Sequence, residues 1–160
     1  SLFEHMKGTV MYAMKFAAKL ALNYDEIFIA ALLHDCAKEM KSPPMEGVPP
    51  KVLHQFYGAE IAEKVYGITN ENILDAIRYH TTGKVGMSNL GKLIYCADML
   101  EENRDYEGVD RLRKIFEDDF EAGFLACIES SIKKLERSGK GIYFLTENCY
   151  NYYNNQRSDK

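Results

Sequence analysis

Apolar residues recur at helical spacing from the first few positions of the chain. Met6, Val10, Ala13, Met14, Ala17, Leu20 and Ala21 share a face between Leu2 and Leu22, interrupted by Lys7, Lys15 and Lys19. That spacing predicts an amphipathic helix with His5 near its beginning. After an Asn23-Tyr24-Asp25 turn, the stretch Asp25 to Met40, DEIFIAALLHDCAKEM, predicts a second helix. Asp25 stands at its N-cap and Glu26 in the first turn, where a carboxylate suits the helix dipole. The run from Ile27 to Leu33 is apolar without a break, and a helix apolar all round belongs inside a bundle. His34 and Asp35 follow at once, with Lys38 one turn later on the same side. Buried polar groups without partners cost several kcal/mol, so this helix demands a compensating ion or anion nearby.

The remaining pattern is helical as well. Lys41 to Pro50 holds all four prolines and Gly47 and reads as a loop. Val52 to Tyr66 predicts a helix with His54 in its first turns and Gly67 as C-cap. Asn70 to His80 places Ile73, Leu74 and Ile77 on one face and His80 at its end, before a polar loop from Thr81 to Gly86. Ser88 caps a helix reaching Glu101, with Leu90, Leu93, Ile94 and Ala97 as its apolar set and Asp98 well inside it. A charged turn, Glu102 to Gly108, carries Arg104. Val109–Asp118 and Ala122–Arg137 are two further helices, and Ser138 to Gly141 stops the second. Ile142 to Leu145 reads as a short extended piece and Thr146 onward as a last Tyr/Asn-rich helix, its Tyr-rich surface a candidate homodimer interface. No strand alternation of any length occurs. The predicted class is all-α, a compact helical bundle.

Composition narrows the setting without naming a chemistry. With 160 residues and 46% apolar content, one domain spanning 1–160 is expected, its ordered core over about residues 2–155. A net charge of −4, with no block of like charges, gives no general nucleic-acid surface. Cys36, Cys96, Cys127 and Cys149 lie far apart, three of them in apolar helical runs, as packed free thiols of a reducing compartment do. No signal peptide and no membrane-length apolar run is visible, so no membrane association and a cytoplasmic setting are expected. The chain opens within its first helix, and residues upstream of Ser1 are expected.

Candidate chemistry rests on scarcity. The chain has four histidines, His5, His34, His54 and His80, each in or at the end of a different predicted helix. Asp35 and Asp98 add carboxylates on apolar faces. Imidazole and carboxylate together suit iron, manganese or zinc better than a thiolate-loving site. A lone buried histidine is more often a hydrogen-bonded core residue than a ligand, and Lys38 taken singly reads as a solvated helix residue. Asp98 is harder to set aside: flanked by Cys96, Ala97, Met99 and Leu100, an ionised carboxylate there needs a cation.

The order His5, His34-Asp35, Asp98 resembles the H…HD…D pattern of the HD-domain metal-dependent phosphohydrolases, an all-α superfamily. The strings LFEH, ALLHDCAKE, LHQFYGAEIA, AIRYHTTGKVGMS and YCADMLEENRDYEGV are similar to the bacterial YqeK-type HD hydrolases, symmetrical diadenosine tetraphosphatases, over nearly the whole chain. Glu102 stands where that family usually has Pro, and Leu2 where a basic residue is common. The resemblance implies a divalent transition metal, iron first and manganese or another first-row ion next, held by His5, His34, Asp35 and Asp98. His54 and His80 either hold a second ion with Asp35 as bridge or contact the substrate phosphates, and His80 in the latter case is a candidate acid for the leaving nucleotide.

The implied reaction is symmetrical hydrolysis of diadenosine tetraphosphate, a dinucleoside polyphosphate, to two ADP by an activated water that Asp35 orients. Lys38 and Arg104 would neutralise the phosphates. Thr81, Thr82 and Gly83 would offer hydroxyls and backbone N–H groups to phosphoryl oxygens. Ile142, Tyr143 and Thr146 form a candidate wall for the nucleoside of ADP or GDP, where a simple surface turn is an equal reading. Two alternatives stand beside this one. One is an HD-domain phosphohydrolase of mononucleotides; the other is a non-enzymatic helical interaction module stabilised by a metal. A cyclic-dinucleotide phosphodiesterase is disfavoured because no GYP-type string follows the HD pair.

Overall fold

The computed structural model describes residues 1–159. Eight α-helices, and no strand, occur among them: α1 Leu2–Met14, α2 Tyr24–Leu33, α3 Leu53–Lys64, α4 Glu71–Arg78, α5 Asn89–Leu100, α6 Val109–Asp118, α7 Phe120–Arg137 and α8 Phe144–Ser158. The all-α bundle is as the sequence predicts, and a 3₁₀ turn, Pro50–Val52, introduces α3. Caps follow the side-chain chemistry. Ser1, Asn23, Asn70, Ser88 and Asp119 each accept a backbone N–H in the first turn of the helix that follows.

The helix enclosed by the others is α5. Leu90, Leu93, Ile94, Tyr95, Cys96, Ala97 and Leu100 are all buried, and α5 packs on α1, α2, α4, α6 and α7. Its apolar positions share one core with Ile27 and Ala31 of α2 and Leu74 and Ile77 of α4. Tyr12, Phe16, Phe116 and Phe120 extend that core towards α6, with Phe16 and Phe116 edge to face at 4.7 Å.

The expected central role of α2 does not hold. Ile27, Ala30 and Ala31 are buried, but Tyr24, Phe28 and Leu32 form an exposed apolar stripe at i, i+4, i+8. One side of α2 meets α1, α4 and α5, and its other side is open. Nor is Asp25 the N-cap: Asn23 holds that place, accepting from Glu26 N at 3.1 Å. The first helix likewise ends at Met14 rather than Leu22. Lys15–Ala21 continue as irregular turns, closed by Ala21 at φ 52° and by Leu22 N donating to Ala17 O.

α2 also stops earlier than the pattern predicts. His34 is its C-cap, and its Nδ1 lies 2.6 Å from Ala31 O, the carbonyl three residues back. The side chain takes a carbonyl at the helix end. Beyond it Cys36, Lys38 and Met40 each donate to a carbonyl three residues earlier, in tight turns of the 3₁₀ kind. The His-Asp pair and Lys38 therefore stand just past a helix end, not on a continuing helix. At the other end of the chain, Ile142 to Leu145 makes no strand: Tyr143 is extended, and α8 begins at Phe144.

Candidate metal centre

The four histidines and two aspartates converge where α1, α3, α5 and the segments following α2 and α4 meet. His5 Nε2 lies 2.9 Å from Asp98 Oδ1, 3.4 Å from Asp35 Oδ2 and 3.2 Å from His34 Nε2. His34 Nε2 is 3.5 Å from Asp35 Oδ2 and 3.7 Å from Asp98 Oδ1. The other oxygen of Asp35 faces a second group. His80 Nε2 is 3.1 Å from Asp35 Oδ1, His54 Nε2 is 3.5 Å from it, and the two nitrogens are 3.2 Å apart. Each group gathers its ligand atoms within 4.8 Å of one another, and Asp35 belongs to both.

These spacings suit a cation. Ligands about 2.1 Å from an ion lie roughly 3.0 Å apart at right angles and roughly 3.4 Å apart in a tetrahedron. The distances above fall around those values. The direction of the rings agrees. His34 Nδ1 lies 2.6 Å from Ala31 O, and His80 Nδ1 lies 2.7 Å from Ile77 O, so both rings direct Nε2 inward. Unprotonated Nε2 atoms facing one another at 3.2 Å repel unless positive charge lies between them. His5, His34, Asp35 and Asp98 thus have the donor set and spacing that could hold a divalent ion.

The electrostatics report the same demand. Burial opposes charge on His5, but its hydrogen bonds to Asp35 and Asp98 outweigh burial and push its pKa up to about 9. His34 is also raised, burial again being overcome by Asp98 and Asp35. Burial would raise both carboxyls, yet bonds from His5 and His80 hold Asp35, and bonds from His34 and His5 hold Asp98, well below the usual carboxylate range. His54 moves the other way. Burial, then His80 and Lys38, push it down to about 4, leaving a neutral imidazole at pH 7.

Charged and hydroxyl groups flank the centre. Lys38 Nζ is 3.4 Å from His54 Nε2, and the Thr81 hydroxyl is 3.1 Å from the same nitrogen. Arg104 donates from Nε to Asp98 O at 2.9 Å and from its terminal nitrogen to Asp98 Oδ1 at 3.0 Å, and lies 3.3 Å from His5 Nε2. The loop after His80 offers less than its sequence promises. Thr81 N and Thr82 N both donate to Gln55 Oε1 at 3.1 Å, Gly83 N donates to Tyr79 O, and the Thr82 hydroxyl donates to Gly83 O. Thr81 alone has its hydroxyl at the centre, while Thr82 and Gly83 are committed to the loop itself. Gly83 takes φ +69°, and a Cβ there would sit 2.8 Å from Cys149 Sγ, so glycine lets α8 close over the loop. Thr146 is buried in α8, with Ile142 and Tyr143 half-buried ahead of it. None of the three has a side-chain hydrogen bond or ion pair with the His–Asp cluster.

Two buried polar residues that the motif reading passes over belong here. Gln55, 0% exposed, pins the loop through the two bonds above and donates from Nε2 to the Thr82 hydroxyl at 3.0 Å. Glu101, 1% exposed, lies 3.4 Å from His5 Nδ1. Both lie within the strings LHQFYGAEIA and YCADMLEENRDYEGV, beside His54 and Asp98, which is the signal the sequence carries of them.

A family model for the HD domain matches residues 2–112. The chain is 35% identical over 162 residues to a protein of Bacillus subtilis named bis(5'-nucleosyl)-tetraphosphatase, symmetrical, covering 91% of this chain and 87% of that one. A Staphylococcus aureus protein of the same name is 33% identical over 160 residues, covering 86% of this chain and 81% of its own. Among solved structures, an HD superfamily hydrolase from Clostridium acetobutylicum, described as involved in NAD metabolism, superposes with a TM-score of 0.92 at 30% identity. That match covers 98% of this chain and 90% of the other. A match of this extent coincides with a fold that brings His5, His34-Asp35 and Asp98 to one point, and the chain belongs to the HD domain family.

Proposed function

We propose that this protein hydrolyses diadenosine tetraphosphate symmetrically to two ADP at a divalent metal centre, iron being the first candidate ion and manganese the next. The observation that carries the reading is the carboxylate of Asp35, which turns one oxygen to His5 and His34 and the other to His54 and His80. A structural metal site is closed by its ligands, whereas this arrangement adds a second histidine pair, a lysine and an arginine around a shared carboxylate. The names of the B. subtilis and S. aureus relatives supply the substrate class. The second group, Asp35 with His54 and His80, favours a second ion over direct phosphate contact.

When bound, the metal supplies Lewis-acid polarisation of a phosphoryl oxygen and acidifies water at neutral pH. The chain supplies the rest. Asp35, held ionised, orients the attacking water. Lys38 and Arg104 stand on either side and neutralise the phosphates, lysine as a point charge and arginine through its planar fork. The Thr81 hydroxyl donates to a non-bridging oxygen, with Gln55 fixing its backbone. Should His54 and His80 be free of a second ion, His80 Nε2 is the group to protonate the departing ADP, since its Nδ1 is engaged by Ile77 O. Ile142, Tyr143 and Thr146 remain the candidate nucleoside wall, and residues 1–160 act as one HD domain.

The test is product analysis on metal-assayed protein offered diadenosine tetraphosphate, with ATP, AMP and dGTP alongside. ADP as sole product, abolished by chelation and restored by iron or manganese, is the expected result. ATP plus AMP would refute the symmetrical register. Turnover of mononucleotides alone would leave an HD phosphohydrolase of another substrate class.

A further inference from the structure

Glu101 is a buried carboxylate beside the His–Asp cluster that neither group of candidate ligands includes. It is 1% exposed and follows the last residue of α5, three positions beyond Asp98. Its Oε2 accepts from Asn103 N at 2.9 Å and from Asn103 Nδ2 at 3.0 Å, and its Oε1 lies 3.4 Å from His5 Nδ1. The site is cut to admit it. Gly8, one turn after His5 on α1, is buried, and a Cβ built there would stand 1.9 Å from Glu101 Oε2. No carboxylate and methyl group coexist at that distance, so glycine is required for Glu101 to reach His5.

A charge is also a costly choice if the task were only to hold the turn after α5. Asparagine or glutamine would accept the same two bonds from Asn103. A buried carboxylate is retained where it faces positive charge. Arg104 Nε forms an ion pair with Oε1 at 3.9 Å, beyond hydrogen-bond reach. The group that Oε1 can hydrogen-bond is the imidazole of His5, whose Nε2 faces Asp98, Asp35 and His34.

We propose that Glu101 is a positioning residue that accepts the Nδ1 proton of His5 across the notch left by Gly8. It thereby fixes the ring and tautomer so that Nε2 serves the metal. His34 and His80 receive the same service from main-chain carbonyls. His5, in the first turn of α1, receives it from a carboxylate 96 residues away, which also makes its ring a stronger donor. The inference rests on the metal centre proposed above and assigns no contact between Glu101 and substrate.

The experiment measures metal affinity by competition with a chromophoric chelator, using manganese as the probe, on wild type, Glu101→Gln, Gly8→Ala and Glu102→Gln. Far-UV circular dichroism and the thermal midpoint of each metal-free protein are recorded alongside. Loss of a carboxylate behind a ligating histidine lowers metal affinity by about 10- to 100-fold. That loss is expected for Glu101→Gln and Gly8→Ala, with helicity unchanged, and none is expected for Glu102→Gln, whose side chain is 68% exposed. Alanine is the better helix former, so weakened binding in Gly8→Ala reports the displaced carboxylate rather than a damaged helix. Affinities of Glu101→Gln and Gly8→Ala within twofold of wild type would overturn the proposal. A drop only in the metal-free midpoint, with affinity retained, would overturn it equally by making Glu101 a fold residue. A wild type that binds no manganese would overturn the metal centre and this inference together.

Discussion

Replacing Asp35 by asparagine removes one charge and little volume at the point the two ligand groups share, and the consequence for metal-linked stability can be worked through. Metal held at 100 times its wild-type dissociation constant stabilises the folded state by about 2.7 kcal/mol. A chain of this length shifts by roughly 3 °C per kcal/mol, so the wild-type midpoint should rise by about 8 °C on metal addition. Asp35 Oδ2 lies 3.4 Å from His5 Nε2 and 3.5 Å from His34 Nε2, inside the first group, and Oδ1 lies inside the second. A unit charge within 4 Å is worth about 4 kcal/mol at an effective dielectric of about 20. Asparagine keeps a neutral oxygen there, so a smaller loss, about 2.7 kcal/mol or 100-fold in affinity, is the conservative expectation. At the same metal concentration the variant then gains about 0.4 kcal/mol, a rise of about 1 °C. Scanning calorimetry of chelator-treated protein, with and without manganese, reads both numbers. A variant that still gains 5 °C or more would show that Asp35 is not a shared ligand, and the shared-carboxylate reading would fall with it.

Two further outcomes follow from particular contacts. Gln55→Leu conserves volume but strips the acceptor from Thr81 N and Thr82 N, and Thr82 is 1% exposed. An unsatisfied buried donor costs about 1–3 kcal/mol, so with two donors stranded urea unfolding should show a loss of about 2–6 kcal/mol and turnover should fall as Thr81 leaves His54. An unchanged unfolding midpoint would mean that the loop is held by other contacts. The metal-free protein should show a pH dependence set by His5, His54 and Asp35. His5 has its folded pKa raised to about 9, so its stabilisation is complete below about 6.5 and is lost as pH rises through about 9. Asp35 is depressed, so its contribution is present above about 4 and is lost on further acidification. The thermal midpoint without metal should therefore peak near about pH 6.5, declining towards pH 9 as the His5 contribution is lost and towards pH 4 as the unfolded chain protonates the histidine that the fold keeps neutral at position 54. A midpoint that rises over pH 7 to 9 would contradict the paired imidazolium.

How much of this was readable beforehand differs residue by residue, and the differences have physical causes. The convergence of the four histidines with Asp35 and Asp98 was legible because the chain has four histidines, each in or at the end of a different helix, in an order that resembles the H…HD…D pattern. Helix number was legible from the spacing of apolar residues, and the Ser88 cap because its hydroxyl acts on Gly91 N three residues away, whereas the caps at Asn23 and Asp119 were not. The end of α2 was not. Periodicity continues through Lys38, but the His34 ring takes the Ala31 carbonyl, a competition that no apolar pattern registers. The apolar run of α2 misled for a related reason: hydropathy states that Tyr24, Phe28 and Leu32 are apolar, not whether another helix of the chain reaches them.

The end of α2 is also where local structure serves the chemistry. A histidine inside a continuing helix has its backbone neighbours' carbonyls engaged by amide donors, and its ring can rotate. At a helix end a carbonyl is free, and His34 and His80 both use the one three residues back to lock Nδ1 and aim Nε2. The same geometry sets Asp35 in the tight turn beyond α2, from which its two oxygens reach ligands on opposite sides. Were α2 to run on to Met40, His34 would lose the carbonyl that fixes its ring. The early stop of the helix, which the apolar pattern does not show, is thus the feature that lets one carboxylate serve both histidine pairs. Glu101 solves the same problem for His5, where the anchor has to come from α5, and Gly8 is what the sequence gives up to let it in.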